Sequence, residues 1–442
     1  MALVESRWQR RVTLCALYFA QGVPWGFMLI TLPSYLAYHY QVGDNEIGNL
    51  KAIILIPWSF KLIWAPIMDS FTIRSMGRRR PWVIGSELMM ALTLLGFIGL
   101  GDPSQELQFI LYMYFLHNCF ASLQDVCTDA LAVDVLPANE QGQMNGMMWG
   151  SKLIGKGIGA WGLSHVLNVG GLGACVGIQV LLLLAVMLVP LFVLERDGER
   201  RFPWSFGEAA QKVAIPSTNP WKVFKRVIKA FSLTTTFCFI FFALTKLIAS
   251  GINEVMTNTL YTQHLNPRWT DLEFSTASGL YATFPIILGA ILGGFLADRF
   301  GRRIIIIIGF GGYGVASLIY ATYPNLWNES WFSMSYILSY ETLSAVGAVG
   351  FLSMSMRISW TTAAATVFTT YMTLSNISHV VGNKMAASVR GWFIDPEYGE
   401  LSNLISYELA FWFVGITSIA PLFLLFFVKP KEVDKARLLE SV

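Results

Sequence analysis

Two apolar stretches of this chain carry charged side chains at helical spacing. Asp125 and Asp129 are four positions apart, so a helix would place both carboxylates on one face. Lys152 and Lys156 repeat this spacing with the opposite sign in the next apolar stretch. A carboxylate that alternately binds a proton and pairs with a lysine can couple proton movement to another process, whereas a permanent pair would only join two helices. The spacing is compatible with both roles.

Depth within the apolar stretches predicts which of these charges could meet. A helix rises about 1.5 Å per residue, so Asp125 and Lys152 each lie about 16 Å from the same end of their helices. By the same measure, Asp129 and Lys61 lie about 10 Å from that end. Equal depth permits an Asp125–Lys152 pair and an Asp129–Lys61 pair, but it leaves open which helix faces meet. Charged groups at such depth usually face a cavity or a partner.

The second half of the chain repeats this theme, because Lys246 and Glu341 both fall about 24 Å from that end of their helices. The candidate residues for proton coupling or substrate binding are therefore Asp125, Asp129, Glu341, Lys152, Lys246 and Lys61. Polar or aromatic residues at similar depth are candidates to line a cavity: Gln21, Trp25, Gln124 and His379. Trp25 could stack on a sugar or a nucleobase, although packing explains the ring equally well.

The composition is typical of a membrane protein. Of the 442 residues, 54% are hydrophobic and 13% are charged, whereas soluble domains carry about 25% charged residues. Apolar runs of about 20 residues match the hydrocarbon thickness of a bilayer. Twelve such segments lie at about 12–38, 45–67, 82–100, 107–136, 141–167, 172–194, 230–260, 275–297, 304–322, 331–356, 361–389 and 404–428. The predicted fold class is all-α and polytopic, with twelve transmembrane helices in two six-helix bundles.

The distribution of basic residues predicts the topology. Most of the 31 Lys and Arg residues lie at the N-terminus, in alternate loops, in the polar linker or in the C-terminal tail. Only Arg268 and Arg390 lie in the opposite loops. Because basic loops tend to stay in the cytoplasm, both termini are expected there. The predicted domains are an N-terminal bundle at 1–194, a cytoplasmic linker at 195–229 and a C-terminal bundle at 230–442.

Two similar loops follow the second and the eighth segment. Each combines an aspartate, a glycine and an arginine cluster, and a second echo, Ala20-Gln21-Gly22-Val23 against Ala249-Ser250-Gly251-Ile252, has the same offset. Such matches indicate a duplicated chain, which is typical of two-repeat transporters. We predict that the loops gate, because opposite charges can join helix ends; anchoring of the topology is the alternative. The predicted gating residues are Asp69, Arg78, Arg79, Arg80, Asp298, Arg299, Arg302 and Arg303.

Several function classes are disfavoured by motifs that the sequence lacks. No Walker-type glycine loop occurs, so ATP is not expected to drive the protein. The five cysteines form no CxxC pair, and neither a zinc-site spacing nor a nucleophile elbow occurs. We expect no cofactor, no metal, no nucleic-acid partner and no enzymatic activity. A polytopic membrane transferase and a non-transporting sensor are the alternatives from other classes.

The loop from Gly294 to Arg303 closely matches the loop motif of the major facilitator superfamily, and the stretch from Asp69 to Arg80 is a longer version of it. Within that superfamily, the chain resembles the AmpG-type muropeptide permeases and the related acetyl-CoA transporters. The stretches that carry this resemblance are Phe60 to Asp69, Gly77 to Arg80, Gln124 to Pro137, Thr245 to Leu247, and Glu341. Two positions depart from the pattern of this branch: Ala132-Val133 replaces a polar, basic pair, and Lys152 replaces an arginine.

This resemblance implies a major facilitator fold and proton-coupled import of an anhydro-muropeptide, a GlcNAc-anhydroMurNAc cell-wall fragment, by alternating access. It also implies that Asp125 and Asp129 are essential. The expected location is the bacterial inner membrane. The expected partners are the small-molecule substrate, protons and the lipid bilayer, and a monomer is the expected assembly. Import of a siderophore or of acetyl-CoA is the alternative.

Overall fold

The computed structural model describes residues 2–71, 73–137, 140–202, 204–205, 225, 228–359, 364–394 and 399–440. The first four long helices are α1 (Arg7–Tyr40), α2 (Asp44–Ser70), α3 (Arg80–Leu95) and α4 (Leu107–Val135). α2 consists of Asp44–Leu55, a 3-10 turn at Ile56–Phe60, and Lys61–Ser70. Helices α5 and α6 form the continuous run Gln141–Phe192, and Gly171 separates them. The next six are α7 (Thr234–His264), α8 (Asp271–Phe300), α9 (Arg302–Thr322), α10 (Ser330–Ile358), α11 (Ala364–Gly391) and α12 (Gly399–Ile419, then a 3-10 helix at Ala420–Phe427). A short α13 (Pro430–Glu440) follows. Within these ranges, the predicted all-α fold with twelve long helices is confirmed.

The helices form two compact units. The first contains Met1–Leu36 and Phe60–Ile215, and the second contains Ala37–Ser59 and Pro216–Val442. The end of α1 and the first half of α2 therefore belong to the second unit, although they precede most of the first unit in the chain. Seven of the described helical spans are long and apolar enough to cross a membrane. The predicted domain borders at 1–194, 195–229 and 230–442 follow chain order and stay a prediction.

Glycines allow the tightest helix crossings in both units. In the first unit α1 crosses α5, and a Cβ atom on Gly22 would lie 2.2 Å from the carbonyl oxygen of Lys152. In the second unit α7 crosses α11, and a Cβ atom on Gly251 would lie 2.6 Å from the carbonyl oxygen of His379. Small residues let membrane helices approach closely. The sequence echo around Gly22 and Gly251 thus marks two equivalent crossings, which is a structural reason for the internal repeat.

Irregular turns interrupt several of the long helices. α1 contains Pro24, which is followed by a π-helical turn at Phe27–Thr31. The 3-10 turn of α2 ends immediately before Lys61. α7 breaks at Lys246, and the next backbone N–H, that of Leu247, donates to the hydroxyl of Ser378 at 3.0 Å. Irregular backbone at membrane depth is tolerated where protein groups satisfy it, so these turns can place polar side chains without exposing their backbone to lipid.

The break between α5 and α6 depends on one glycine. Gly171 has φ 71° and ψ −175°, a conformation that is essentially restricted to glycine. We expect Gly171→Ala to lower the free energy of unfolding by about 1–3 kcal/mol, measured as a lower Tm in detergent. Gly173→Ala is the matched control, because a Cβ atom there meets open space and a helix favours alanine over glycine. Equal Tm values for both variants would contradict the role of the Gly171 conformation.

Candidate functional site

A buried ion-pair cluster lies inside the first unit. The Asp125 carboxylate on α4 contacts Lys61 of α2 through one oxygen, and it contacts Lys152 of α5 at 3.3 Å through the other. The Asp125 and Lys152 side chains are 5% and 4% exposed, whereas that of Lys61 is 25% exposed. The predicted Asp125–Lys152 contact is therefore present. Equal depth also permitted a pair between Lys61 and Asp129, and Lys61 contacts Asp125 in the structure.

Asp129 lies one helical turn from Asp125 and has a different environment. Its carboxylate accepts a hydrogen bond from the hydroxyl of Tyr18 on α1. Asp129 is exposed, whereas Asp125 is buried. An ionised carboxylate costs little free energy where water reaches it and much more where water is excluded. The first unit thus places an accessible carboxylate and a buried one on neighbouring turns of α4.

Aromatic rings surround the buried ammonium group of Lys152. Its Nζ atom lies 4.1 Å from the centroid of the Trp25 ring, and 5.6 Å and 5.5 Å from those of Tyr18 and Trp149. A cation over a ring face gains about 2 kcal/mol or more when both are desolvated. Lys152 therefore has a partner besides Asp125, and the loss of the carboxylate contact would not leave its charge isolated. Trp25 lies beside the charged cluster, and its role as a cavity-lining residue stays a prediction.

A separate chain of hydrogen bonds leads from Gln21 through Gln124 to Glu87, which the sequence pattern did not single out. Gln21 of α1 donates its amide N–H to Gln124 of α4, and Gln124 donates to Glu87 Oε1 at 2.8 Å. Glu87 lies on α3 and is fully buried. A lone acidic residue near the end of an apolar segment carries little signal, because an end residue can usually reach water. Its position inside the apolar segment 82–100 is the one sequence clue that could have found it.

In the second unit, the predicted residues Lys246 and Glu341 form no ion pair with each other. Lys246 is buried, and its Nζ atom lies 4.1 Å from the centroid of the Phe351 ring. Among the described side chains, Lys246 has no carboxylate within ion-pair distance. His379 of α11 contacts the Glu254 carboxylate of α7 at 3.1 Å. Lys246 is thus a buried cation that aromatic faces hold, and His379 belongs to a separate polar contact.

The first predicted gating loop is held by acidic residues from outside the loop. The Glu195 carboxylate, just beyond α6, accepts hydrogen bonds from three consecutive backbone N–H groups, those of Arg78, Arg79 and Arg80. The start of a helix favours an anion, because its N–H groups have no intrahelical partner. Arg79 Nε also lies 2.9 Å from Asp134, at the end of α4. The loop therefore joins the start of α3 to the ends of α4 and α6 within the first unit.

Arg80 is the most deeply buried member of this loop. Its guanidinium donates to five backbone carbonyl oxygens, those of Met76, Pro190, Leu191, Arg200 and Arg201. The five N–H donors of arginine can thus all be used here, which makes Arg80 a cross-link between α3, the end of α6 and the segment after it. The side chain of Asp69, which was also predicted to gate, lies outside the described residues.

The second predicted gating loop has fewer contacts. Arg303 donates to the carbonyl oxygen of Leu425 in α12, and Arg299 lies 5.7 Å from the ring centroid of its neighbour Phe300. Asp298 is exposed, Arg302 is half-buried, and Asp298 forms no ion pair with any described side chain. The two loops are therefore similar in sequence but not in their contacts, because a buried carboxylate holds only the first of them among the described residues.

The Glu199 carboxyl predicts a pH dependence of stability for the first loop. Burial, and secondly the charge of Glu195, raise the pKa of Glu199 to about 7, although Arg80 lies 3.7 Å away. Its ordinary pKa is 4.5, so the folded form loses stability as pH rises through the interval between these two values. We expect Glu199→Gln to raise Tm by about 2 °C or more at about pH 8 and to change it little at about pH 5. Thermal unfolding at both pH values measures this, and an equal change at both would contradict it.

A separate polar cluster holds the start of α2 in the second unit. The Asp44 carboxylate contacts Arg390 of α11, and it accepts hydrogen bonds from the hydroxyls of Thr259 and Tyr407. The Asp44 side chain is only 1% exposed. Arg390 is one of the two basic residues in the loops predicted to face away from the cytoplasm. The other, Arg268, lies 5.3 Å from the centroid of the Tyr38 ring, so both exceptions to the charge pattern have local partners.

Long apolar helices with oppositely charged side chains buried among them are typical of membrane transport proteins. No cluster of three or more His, Cys, Asp or Glu side chains in the described part of the chain could hold a metal ion. The chain belongs to the Major Facilitator Superfamily, whose family model matches residues 14–383 and 247–441. It is therefore a multi-pass membrane protein, and the resemblance found in its loops and in α4 is confirmed.

The relatives of this chain indicate which branch of the superfamily it resembles. The anhydromuropeptide permease of Escherichia coli (strain K12) is 25% identical over 418 residues, which cover 87% of this chain and 74% of that protein. The putative transporter AmpG 4 of Rickettsia conorii is 23% identical over 432 residues, which cover 93% of this chain and 96% of that protein. Among solved structures, the nucleoside transporter NupG has a TM-score of 0.67 at 13% identity, covering 95% of this chain and 99% of that chain. This last likeness concerns the fold alone.

Proposed function

We propose that this protein is a proton-coupled secondary transporter that imports an anhydro-muropeptide by alternating access. The observation that carries this proposal is the buried Asp125 carboxylate between Lys61 and Lys152. A proton on Asp125 would neutralise the carboxylate and weaken its contacts with both ammonium groups. The freed ammonium groups could then bind an anionic group of the substrate. Proton and lysine would thus compete for one carboxylate, which is the minimum that coupling requires.

The chemistry around Lys152 supports the substrate class. The Trp25 ring lies beside the Lys152 ammonium group, an arrangement that suits a sugar ring next to a carboxylate. An anhydro-muropeptide contains both groups. The relative in Escherichia coli is named an anhydromuropeptide permease, which supports the same class. Asp129 and Glu341 would take part in proton transfer, and Lys246 would provide a further cation for anionic substrate groups.

The proposal also covers the membrane in which the protein lies and the loops that gate transport. The basic residues support an orientation with both termini in the cytoplasm, and the bacterial relatives support the inner membrane. The loops at 69–80 and 298–303 would act as gates by making and breaking charge-assisted hydrogen bonds. The protein would act as a monomer, and its activity would be transport, with no chemical change in the substrate.

Uptake into proteoliposomes tests the proposal. Vesicles with an inward proton gradient should accumulate labelled GlcNAc-anhydroMurNAc, and a protonophore should abolish the accumulation. Acetyl-CoA and a ferric siderophore, offered under the same conditions, are the comparators. Accumulation that survives the protonophore would contradict proton coupling. Accumulation of a comparator in place of the muropeptide would contradict the substrate, and a chemically altered product would contradict the transport class.

A further inference from the structure

Glu87 has an environment unlike that of any other carboxyl group in the proposed mechanism. It is fully buried on α3, and its Oε1 atom accepts one hydrogen bond, from Gln124. Its Oε2 atom is buried without a hydrogen-bond partner among the described residues, and no described cation lies within ion-pair distance. An ionised carboxylate with a single neutral hydrogen bond is strongly disfavoured where water is excluded. The neutral acid is the form that suits this site.

The chain of hydrogen bonds that ends at Glu87 contains acceptor atoms that receive no hydrogen bond from the described residues. Gln21 donates to Gln124, and Gln124 donates to Glu87. Two buried acceptor atoms then remain without a donor in the described part of the chain, namely Gln21 Oε1 and Glu87 Oε2. Buried polar groups in folded proteins are nearly always paired. A proton on Glu87 Oε2 would turn one of these two buried acceptors into a donor and remove the buried charge.

The other titratable groups nearby are already engaged. Asp125 follows Gln124 in the chain, and two lysines hold its carboxylate. His117 of α4 is a buried titratable group that contacts α3, and its Nδ1 atom lies 3.1 Å from the carbonyl oxygen of Met90. Neither group contacts Glu87. Asp125 is therefore a buried carboxylate that suits the ionised form, and Glu87 is a buried carboxylate that suits the protonated form.

The geometry points to Glu87 as a second proton-binding residue of the transport cycle, linked to Asp125 through Gln124. This inference rests on the proposed function. Release of the proton from Glu87 produces a carboxylate that water or a cation must then reach. Gln124 would have to move to allow this, and it is the residue directly before Asp125. The charge of Glu87 is thereby coupled to the position of the Asp125 carboxylate between its lysines.

Infrared spectroscopy of the purified full-length protein tests this inference without any substrate. The carbonyl stretch of a neutral carboxylic acid in an apolar site is expected, and it should fade on alkalinisation. All the proteins compared carry Glu199→Gln, because Glu199 is a second buried carboxyl that is protonated at low pH. In that background Glu87→Gln, which keeps the size and the acceptor for Gln124, should lack this band. Glu106→Gln, at an exposed position before α4, should keep it. A band that Glu87→Gln leaves intact, or one that persists at every pH, would overturn the inference.

A transport measurement separates this inference from the proposed function. With an inward gradient of about one pH unit, one coupled proton supports about tenfold accumulation of GlcNAc-anhydroMurNAc. Glu87→Gln should accumulate about tenfold less and should keep counterflow exchange at equal pH. Full accumulation by Glu87→Gln, or loss of its counterflow as well, would overturn the inference. Failure of the unmodified protein to accumulate the muropeptide would count against the proposed function, and the infrared result would still decide the role of Glu87.

Discussion

Asp125→Asn is expected to reduce the initial rate of gradient-driven uptake by about 100-fold or more. The substitution removes the only described carboxylate that contacts both Lys61 and Lys152. The amide cannot bind and release a proton, so the proposed coupling step is lost. Removing one partner of a buried ion pair also costs about 3–5 kcal/mol, and the aromatic rings around Lys152 offset part of this cost. Uptake of labelled muropeptide into proteoliposomes measures the first effect, and Tm in detergent measures the second.

A double substitution separates these two effects. Asp125 and Asp129 together balance the charges of Lys61 and Lys152, so Asp125→Asn alone leaves one excess positive charge. Adding Lys61→Gln restores the balance, and we expect it to recover most of the lost Tm without recovering uptake. Glu106→Gln, which changes an exposed carboxylate, controls for the loss of an acidic residue and should keep both properties. Recovery of uptake in the double variant would show that only charge balance matters and that Asp125 carries no proton.

The positions of the helices could be predicted from the sequence because the bilayer imposes a length on each apolar segment. The fourth segment was predicted at about 107–136, and α4 occupies Leu107–Val135. The break between the fifth and sixth segments was placed at about 168–171, and the chain breaks at Gly171. Hydropathy measures the position of a residue along the membrane normal. It carries no information on rotation about the helix axis, and contacts depend on that rotation.

The contacts of Lys61 show that depth alone does not predict which charged side chains meet. Lys61 and Asp129 have matching depths, yet Lys61 contacts Asp125. The 3-10 turn at Ile56–Phe60 directly precedes Lys61, and its three residues per turn change the direction of the side chains that follow. No feature of the apolar pattern marks that turn. Depth could therefore limit the contacts of Lys61 to one helical turn of α4, but it could not choose between the two carboxylates.

The partners of the first gating loop show a second limit. The sequence predicted that charged residues of this loop join helix ends, but it did not identify the partners of the arginines. Among the described side chains, Glu195 and Asp134 provide carboxylates to the loop, and both are distant from it in sequence. Several acidic residues follow α6, so the sequence alone could not choose among them. The convergence of three helix ends makes that choice, and it becomes visible only after the helices have packed.

Asp44→Asn is expected to lower the free energy of unfolding by about 3–5 kcal/mol. Asp44 is almost fully buried, and its carboxylate contacts Arg390, which is itself only 17% exposed. An asparagine would keep some of the hydrogen bonds from Thr259 and Tyr407, but it would leave the arginine charge uncompensated. Chemical denaturation of the full-length protein in detergent measures the effect. A loss below about 1 kcal/mol would place the pair among the weak surface contacts and would contradict its role in holding α2 on α11.

Two further variants test whether burial is what makes the Asp44–Arg390 ion pair strong. Asp434→Asn removes the carboxylate of an exposed pair, in which Arg357 and Asp434 are 43% and 46% exposed and lie 3.4 Å apart. Exposed pairs contribute about 0–1 kcal/mol, so Asp434→Asn should be nearly neutral. The double variant Asp44→Asn/Arg390→Gln removes both buried charges and should regain most of the stability, because the main penalty comes from an unpaired charge. If the double variant is no more stable than Asp44→Asn, the hydrogen bonds from Thr259 and Tyr407, rather than the ion pair, hold the start of α2.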